Sequence, residues 1–290
     1  MARAGGDPGA GGRVNQPSGT VWQEALGQVP GAEPGAAIEV QALAGGTTNT
    51  TFRVQTRAGR FVVRLHEPRA LDLGVDRKRE AVLHAAAAAA GLASRVLAAD
   101  PAGRYLITEF LEGAPWRAQE LSQEPRLWAL AQTLSELHAL PAPVVAPRVE
   151  LRALLERHLA VIGAQDGAAA RQLGPQVARA SGILARQADA GRAACIVHGD
   201  LSHENMFGAG QPQLIDWEYA AVADPVLDLA CLAAYYPPVL AHGTTLLRRC
   251  GLPASATLPV LEDLAWVYTL LSDLWYRRLE LARRHLPPAH

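Results

Sequence analysis

The chain has 290 residues, of which 49% are hydrophobic, and a formal net charge of −1. This length buries a substantial core and is expected to divide into two lobes, while the near-neutral charge leaves no basic footprint for nucleic acid. No apolar run reaches the roughly 18 residues that would mark a membrane span, and the N-terminus lacks the apolar core of a signal peptide. Three cysteines without paired spacing (Cys195, Cys231 and Cys250) read as reduced, buried thiols of a cytoplasmic protein.

Residues 1–19 are rich in Gly, Ala and Pro and are expected to form a disordered tail. Val21–Leu26 reads as a short helix. Residues 38–43, 51–55 and 61–65 alternate as three strands, with Gly45-Gly46-Thr47-Thr48-Asn49 as a turn between the first two. Such a turn suits a flap over phosphate groups, with Gly46, Thr47 and Asn49 as its contacts, although it is not a G-x-x-x-x-G-K-[ST] loop. Asp76 is placed to cap a helix over 76–90, whose first turns carry Glu80. Lys78 is the only lysine in the chain. A phosphate-binding cation in this region is therefore Lys78 or an arginine, and an Arg64–Glu80 ion pair would aim Arg64 at a nucleotide. Residues 104–110 form a further strand. The Glu112-Gly113 hinge follows it, and backbone groups from Glu109 to Leu111 are candidates for adenine recognition.

From about residue 125 the period becomes helical. Leu127, Leu130, Leu134 and Leu137 share one face up to His138. Further helices are expected over 151–162, 177–188, 226–236 and 258–284. Interrupting them is the block His198-Gly199-Asp200-Leu201-Ser202-His203-Glu204-Asn205, followed by Leu214-Ile215-Asp216-Trp217-Glu218. Residues 194–198 read as a strand, and 206–208 with 213–215 as a hairpin turning near 210–211. That hairpin is expected to set Asn205 opposite Asp216, with Cβ atoms about 4.5–5.5 Å apart. The pair suits the two protein ligands of a Mg²⁺ ion on nucleotide phosphates, and Asp200, just before the hairpin, suits the acceptance of a proton from an attacking hydroxyl. His198 is expected to orient this loop by hydrogen bonding. A zinc site built on His198 and His203 lacks a third His or Cys nearby.

These motifs, with Asp224-Pro225 and Asp228-Leu229-Ala230, resemble those of the aminoglycoside phosphotransferase and choline kinase superfamily. Gly45–Asn49, Phe61–Leu65, Asp76–Glu80 and Glu109–Gly113 resemble the small lobe of its choline and thiamine kinase branch. The resemblance runs from about residue 37 to 280. It implies an α+β, two-lobed, protein-kinase-like fold. A small antiparallel sheet lobe (20–111) would bind nucleotide, and a mainly helical lobe (112–290) would carry catalysis and substrate binding. It implies ATP and Mg²⁺ as cofactors and a small-molecule hydroxyl acceptor, with neither nucleic acid nor membrane as partner. Asp200 is cast as catalytic base, Asn205 and Asp216 as metal ligands and Asp228 as the brace of the catalytic loop. Arg64 becomes the phosphate cation with Glu80 its partner, and Glu218 follows the metal aspartate as in choline-kinase-like members. Gly199 is closer to the aminoglycoside and thiamine kinase pattern than to choline kinases, many of which have Asn there.

Tyr235, Tyr236, Trp266, Tyr268, Trp275 and Tyr276 cluster late in the chain. Aromatic faces with carboxylates suit a small cation of the choline or thiamine type, with Glu218, Tyr235 and Trp275 as the candidate substrate contacts. The alternatives are an aminoglycoside acceptor and a non-catalytic nucleotide-binding scaffold. A protein kinase is disfavoured by the lack of G-x-G-x-x-G, D-F-G and A-P-E segments.

Overall fold

A computed structural model describes residues 19–43, 49–67, 74–144, 146, 149–188 and 190–284. They form two compact units. The first contains the described residues up to Glu67 together with Leu97–Phe110, and the second contains the remainder.

The first unit carries helix α1 (Thr20–Leu26) and strands β1 (Glu39–Leu43), β2 (Asn49–Thr56), β3 (Gly59–His66), β4 (Val96–Ala99) and β5 (Tyr105–Glu109). The sheet order is β1-β2-β3-β5-β4. β2 and β3 pair antiparallel from Asn49↔His66 to Thr56↔Gly59, so two residues make the hairpin turn. Alternate residues Phe52, Val54, Phe61 and Val63 point inward with Ile107 against Trp22 of α1, as the two-residue period of a half-buried sheet requires. The meander and the short helix are where the pattern of the residues put them. β4 was not anticipated, because it has only four residues and two are alanine, a poor strand former. Gly46 and Thr47, the expected phosphate turn, lie outside the described residues. Asn49 opens β2.

The second unit contains helices α2 (Arg77–Ala89), α3 (Glu124–Ala139), α4 (Leu151–Gln165), α5 (Gly167–Ala188), α6 (Val226–Tyr235), α7 (Gly243–Arg249) and α8 (Leu258–Arg284). Two small antiparallel sheets accompany them, β6 (Cys195–Val197) with β9 (Ala221–Ala223), and β7 (Met206–Phe207) with β8 (Gln213–Leu214). Asp76 caps α2, its Oδ1 accepting the N–H groups of Lys78 and Arg79 at 3.1 Å each. Leu127, Leu130, Leu134 and Leu137 of α3 are wholly buried. α5 begins ten residues before the expected Val177 and runs through Pro175. Proline lacks the N–H that a helix interior uses, so such a position is disfavoured in a continuous helix.

Helix α2 clusters with the second unit, although the reading of the chain put all of 20–111 in the first. The physical reason is a pair of ties to the segment after the catalytic hairpin. Arg77 Nη1 meets Glu218 Oε2 at 3.1 Å, and Arg79 Nε donates to the Ala220 carbonyl at 2.9 Å. All three cysteines are buried and unpaired, and burial pushes the Cys250 thiol up to about 12. No described helix is long and apolar enough to cross a membrane.

One buried histidine makes the fold pH-sensitive. His158 on α4 is 1% exposed, and its Nδ1 accepts from Arg278 Nη1 at 2.9 Å. Burial, then the positive charge of Arg278, lowers its pKa from 6.5 to about 4. Between these values the unfolded chain binds the proton that the folded chain refuses. Stability is therefore complete above pH 6.5 and falls as pH drops toward 4, by roughly 3 kcal/mol from this group. Asp200 acts in the opposite sense over the same range, so the test is the difference between proteins. Urea melts at pH 7.5 and 4.5 should show wild type losing roughly 3 kcal/mol more than His158→Gln; identical pH dependence would contradict it.

Candidate active site

The catalytic segment leaves β6 after Val197 and is shaped by one glycine. Gly199 has φ +76, and a Cβ there would lie 2.6 Å from the Tyr219 carbonyl oxygen. Left-handed backbone and a clash with backbone leave no room for a side chain. Gly199→Ala should cost about 2–4 kcal/mol in a denaturant melt. A change below about 0.5 kcal/mol would show that the loop can relax.

Three buried groups hold the loop. Asp228, in the first turn of α6, is fully buried. Its carboxylate accepts the N–H of His198 at 3.2 Å and of Gly199 at 2.9 Å, and meets His138 Nε2 at 2.9 Å. The His198 ring accepts the Asp200 N–H on Nδ1 at 3.3 Å, so its proton sits on Nε2, which donates to the Ile215 carbonyl at 2.9 Å. Burial lowers its pKa and keeps it neutral. His198 thus joins the loop to the hairpin. Tyr268 Oη donates to the Gly199 carbonyl at 2.6 Å.

These anchors present Asp200. Its Oδ2 accepts from Asn205 Nδ2 at 3.0 Å, and the same nitrogen reaches the Asp200 carbonyl at 2.9 Å. With its nitrogen committed to two acceptors, the Asn205 carboxamide has its oxygen left for a cation. Asp200 Oδ1 accepts from Tyr235 Oη at 2.8 Å. Burial first, then the charges of Asp216 and Glu218, raise the Asp200 pKa to about 7.

The hairpin register differs from expectation by one residue. Met206 pairs with Leu214 and Phe207 with Gln213, and the Ile215 N–H donates to the Asn205 carbonyl at 3.0 Å. Asn205 therefore faces Ile215, not Asp216. In a continuing strand the next residue would point to the opposite face. Asp216 instead adopts φ 64, ψ 68, the one left-handed non-glycine conformation among the described residues. Such a conformation costs about 1–3 kcal/mol and concentrates at functional sites. The backbone twist replaces the register as the device that turns Asp216 away from strand alternation.

Glu218 is 4% exposed. Its Oε2 meets Arg77 Nη1, which also holds Glu80 Oε2 at 2.8 Å. Arg77 was missed in the reading of the chain; the signal was a cation three residues before Glu80 on one helix face. Tyr235 lies against the Asp200 carboxylate. Trp275 is half-buried, edge-on to Tyr219 at 6.3 Å and to Tyr276 at 4.9 Å. In the first unit, Arg64 lies on β3 opposite Leu106, and Glu109 ends β5 opposite Phe61. Leu111 begins the second stretch of the second unit. Among the described residues no three His, Cys, Asp or Glu side chains gather as an all-protein metal cage. Two oxygen donors, Asn205 and Asp216, are the kind of partial set that suits Mg²⁺, which takes the rest of its shell from phosphate and water.

The fold matches a choline/ethanolamine kinase family protein from Mesorhizobium loti with a TM-score of 0.65 and 25% identity, over 92% of this chain and 88% of that one. It matches choline kinase LicA from Streptococcus pneumoniae with a TM-score of 0.69 and 19% identity, over 87% and 88%. It also matches the ADP-bound aminoglycoside phosphotransferase APH(2'')-Ib with a TM-score of 0.59 and 16% identity, over 90% and 98%. No curated protein matches the chain at the level of sequence. The sequence model of the phosphotransferase enzyme family matches residues 39–250. The chain, with its antiparallel sheet unit and mainly helical unit, belongs to that family of kinase-like enzymes that phosphorylate hydroxyl groups.

Proposed function

We propose that the protein is an ATP- and Mg²⁺-dependent kinase that phosphorylates a hydroxyl of a small cationic acceptor of the choline or thiamine type, in the cytoplasm. The observation that carries this reading is the presentation of Asp200: one oxygen held by Asn205, the charges of Asp216 and Glu218 close by, and the loop backbone clamped by Asp228.

The residues fit a metal–nucleotide. Burial, then the charges of Asp216 and Glu218, raise Asp200 to about 7, and such a buried negative cluster calls for positive charge, for which Asn205 and Asp216 supply oxygen donors. When bound, the metal would neutralise charge on the phosphates. Asp200 receives the proton of the acceptor hydroxyl as that oxygen bonds to phosphorus. Asn205 keeps the Asp200 carboxylate in one orientation, and Asp228 keeps the backbone beneath it still. In this reading the first unit binds nucleotide, with Arg64 as the phosphate cation and Gly46, Thr47 and Asn49 along the phosphate turn. Adenine is met by backbone groups from Glu109 to Leu111. The negative site with aromatic side chains from α6 and α8 favours a compact cation, with Glu218, Tyr235 and Trp275 as its contacts.

A coupled assay of ATP consumption across choline, ethanolamine, thiamine, homoserine, sugars and kanamycin tests it. Turnover with choline or thiamine is expected. Turnover with kanamycin alone would assign the acceptor to the aminoglycosides instead.

A further inference from the structure

Three tyrosines bond to the catalytic loop, and they do different things. Tyr268 donates to the Gly199 carbonyl and Tyr236 contacts the backbone N–H and ring of His203, so both grip the frame of the loop. Tyr235 alone binds the reactive group, with Oη 2.8 Å from Asp200 Oδ1.

That contact is the one an acceptor hydroxyl needs. A general base must lie within hydrogen-bond reach of the proton that it takes. Each carboxylate oxygen can accept more than one bond; Asn205, 7% exposed, takes the inner side at Oδ2, and Tyr235, 37% exposed, takes Oδ1 on the side that solvent and an acceptor reach. Burial and the Asp200 charge raise the Tyr235 pKa, so the phenol keeps its proton and acts as the donor, as an alcohol would. Tyr235 stands at the edge of the site. It is 37% exposed and is the last residue of α6, where Tyr236 departs from helical backbone at φ −131. Its ring rests edge-on against Tyr236 at 6.2 Å and Tyr268 at 5.9 Å.

We propose that the Tyr235 hydroxyl occupies the acceptor's place on Asp200 and has to be displaced for transfer, so that Tyr235 gates the catalytic base against water. This rests on the kinase reading above. The chemistry balances without Tyr235 as a reactant. The acceptor oxygen bonds to phosphorus, the bond from phosphorus to the nucleoside diphosphate oxygen breaks, and the hydroxyl proton passes to Asp200. Tyr235 keeps its own proton throughout. An acceptor with further contacts in the site can displace the phenol, whereas water has only its hydrogen bond to offer.

The test compares the full-length wild type with Tyr235→Phe, using ATP, Mg²⁺ and whichever acceptor the wild type turns over. The expected result is a threefold or larger fall in acceptor KM and at least a fivefold rise in ATP hydrolysis without acceptor. A raised KM or unchanged hydrolysis would overturn the proposal and make Tyr235 a binding wall. Circular dichroism checks folding, and Tyr235→Leu serves with the same criteria if Tyr235→Phe does not fold. A wild type that phosphorylates no hydroxyl compound would instead defeat the kinase reading itself, and the gate with it.

Discussion

Asp200→Asn lowers turnover by about 10²–10⁴-fold, the usual worth of a positioned general base, while nucleotide affinity stays within a few-fold of wild type. The two effects separate because Asn205 and Asp216, the proposed metal ligands, are left in place. The same substitution should raise stability. The folded pKa of Asp200 is about 7, above the 3.8 of a free aspartate, so the folded chain binds the proton more tightly between those values. The stability that protonation supplies is full below about pH 3.8 and lost as pH rises through 7. At pH 8 the wild type holds an ionised carboxylate against burial and against the charges of Asp216 and Glu218. Asparagine removes that cost, on the order of 1–3 kcal/mol, as is common where a site is strained for function. Calorimetry with a nucleotide, a coupled assay and a denaturant melt at pH 8 measure all three quantities. Retention of more than a tenth of the activity, or parallel loss of nucleotide binding, would remove Asp200 from the role of base.

The same residues show how far local pattern reaches. Asp200, Asn205, Asp216 and Asp228 stand in short motifs, and the α3 leucine stripe and the β2–β3 alternation are periodicities that any reader of the chain can count. The hairpin register was not legible. Gly208-Ala209-Gly210-Gln211-Pro212 admits turns centred on either side of residue 210, and only packing chooses. The left-handed Asp216 was hidden for a related reason: nothing in Ile215-Asp216-Trp217 marks a break from strand backbone. Long-range partners were the other gap. Arg77 and Glu218 lie 141 residues apart, and His138 and Asp228 lie 90 apart. The tyrosines were read as faces for a cation. Their hydroxyls, bonded to the loop, are the feature that the fold adds, since composition shows rings but not where the oxygens point.

Asp228→Ala should destabilise the fold by about 3–5 kcal/mol, more than any surface change. Its two carboxylate oxygens satisfy the N–H groups of His198 and Gly199 and face His138, whose side chain is 6% exposed. Truncation strands two buried backbone donors together with a buried imidazole. Each unsatisfied group costs about 1–3 kcal/mol, and removal of one member of a buried polar cluster falls in the range of 3–5 kcal/mol. Asp228→Asn keeps the volume and one acceptor oxygen but turns an N–H₂ toward donors, so it should fall between wild type and alanine. If Asp228 acts as one unit with His138, a double-mutant cycle with His138→Ala should show coupling of about 1 kcal/mol or more. Activity adds a second measure. At a temperature where both variants remain folded, turnover should fall far more than nucleotide affinity, because the bond lost is to the backbone beneath Asp200. A stability change within about 1 kcal/mol of wild type, with additive single effects, would mean that the loop holds its shape without this carboxylate.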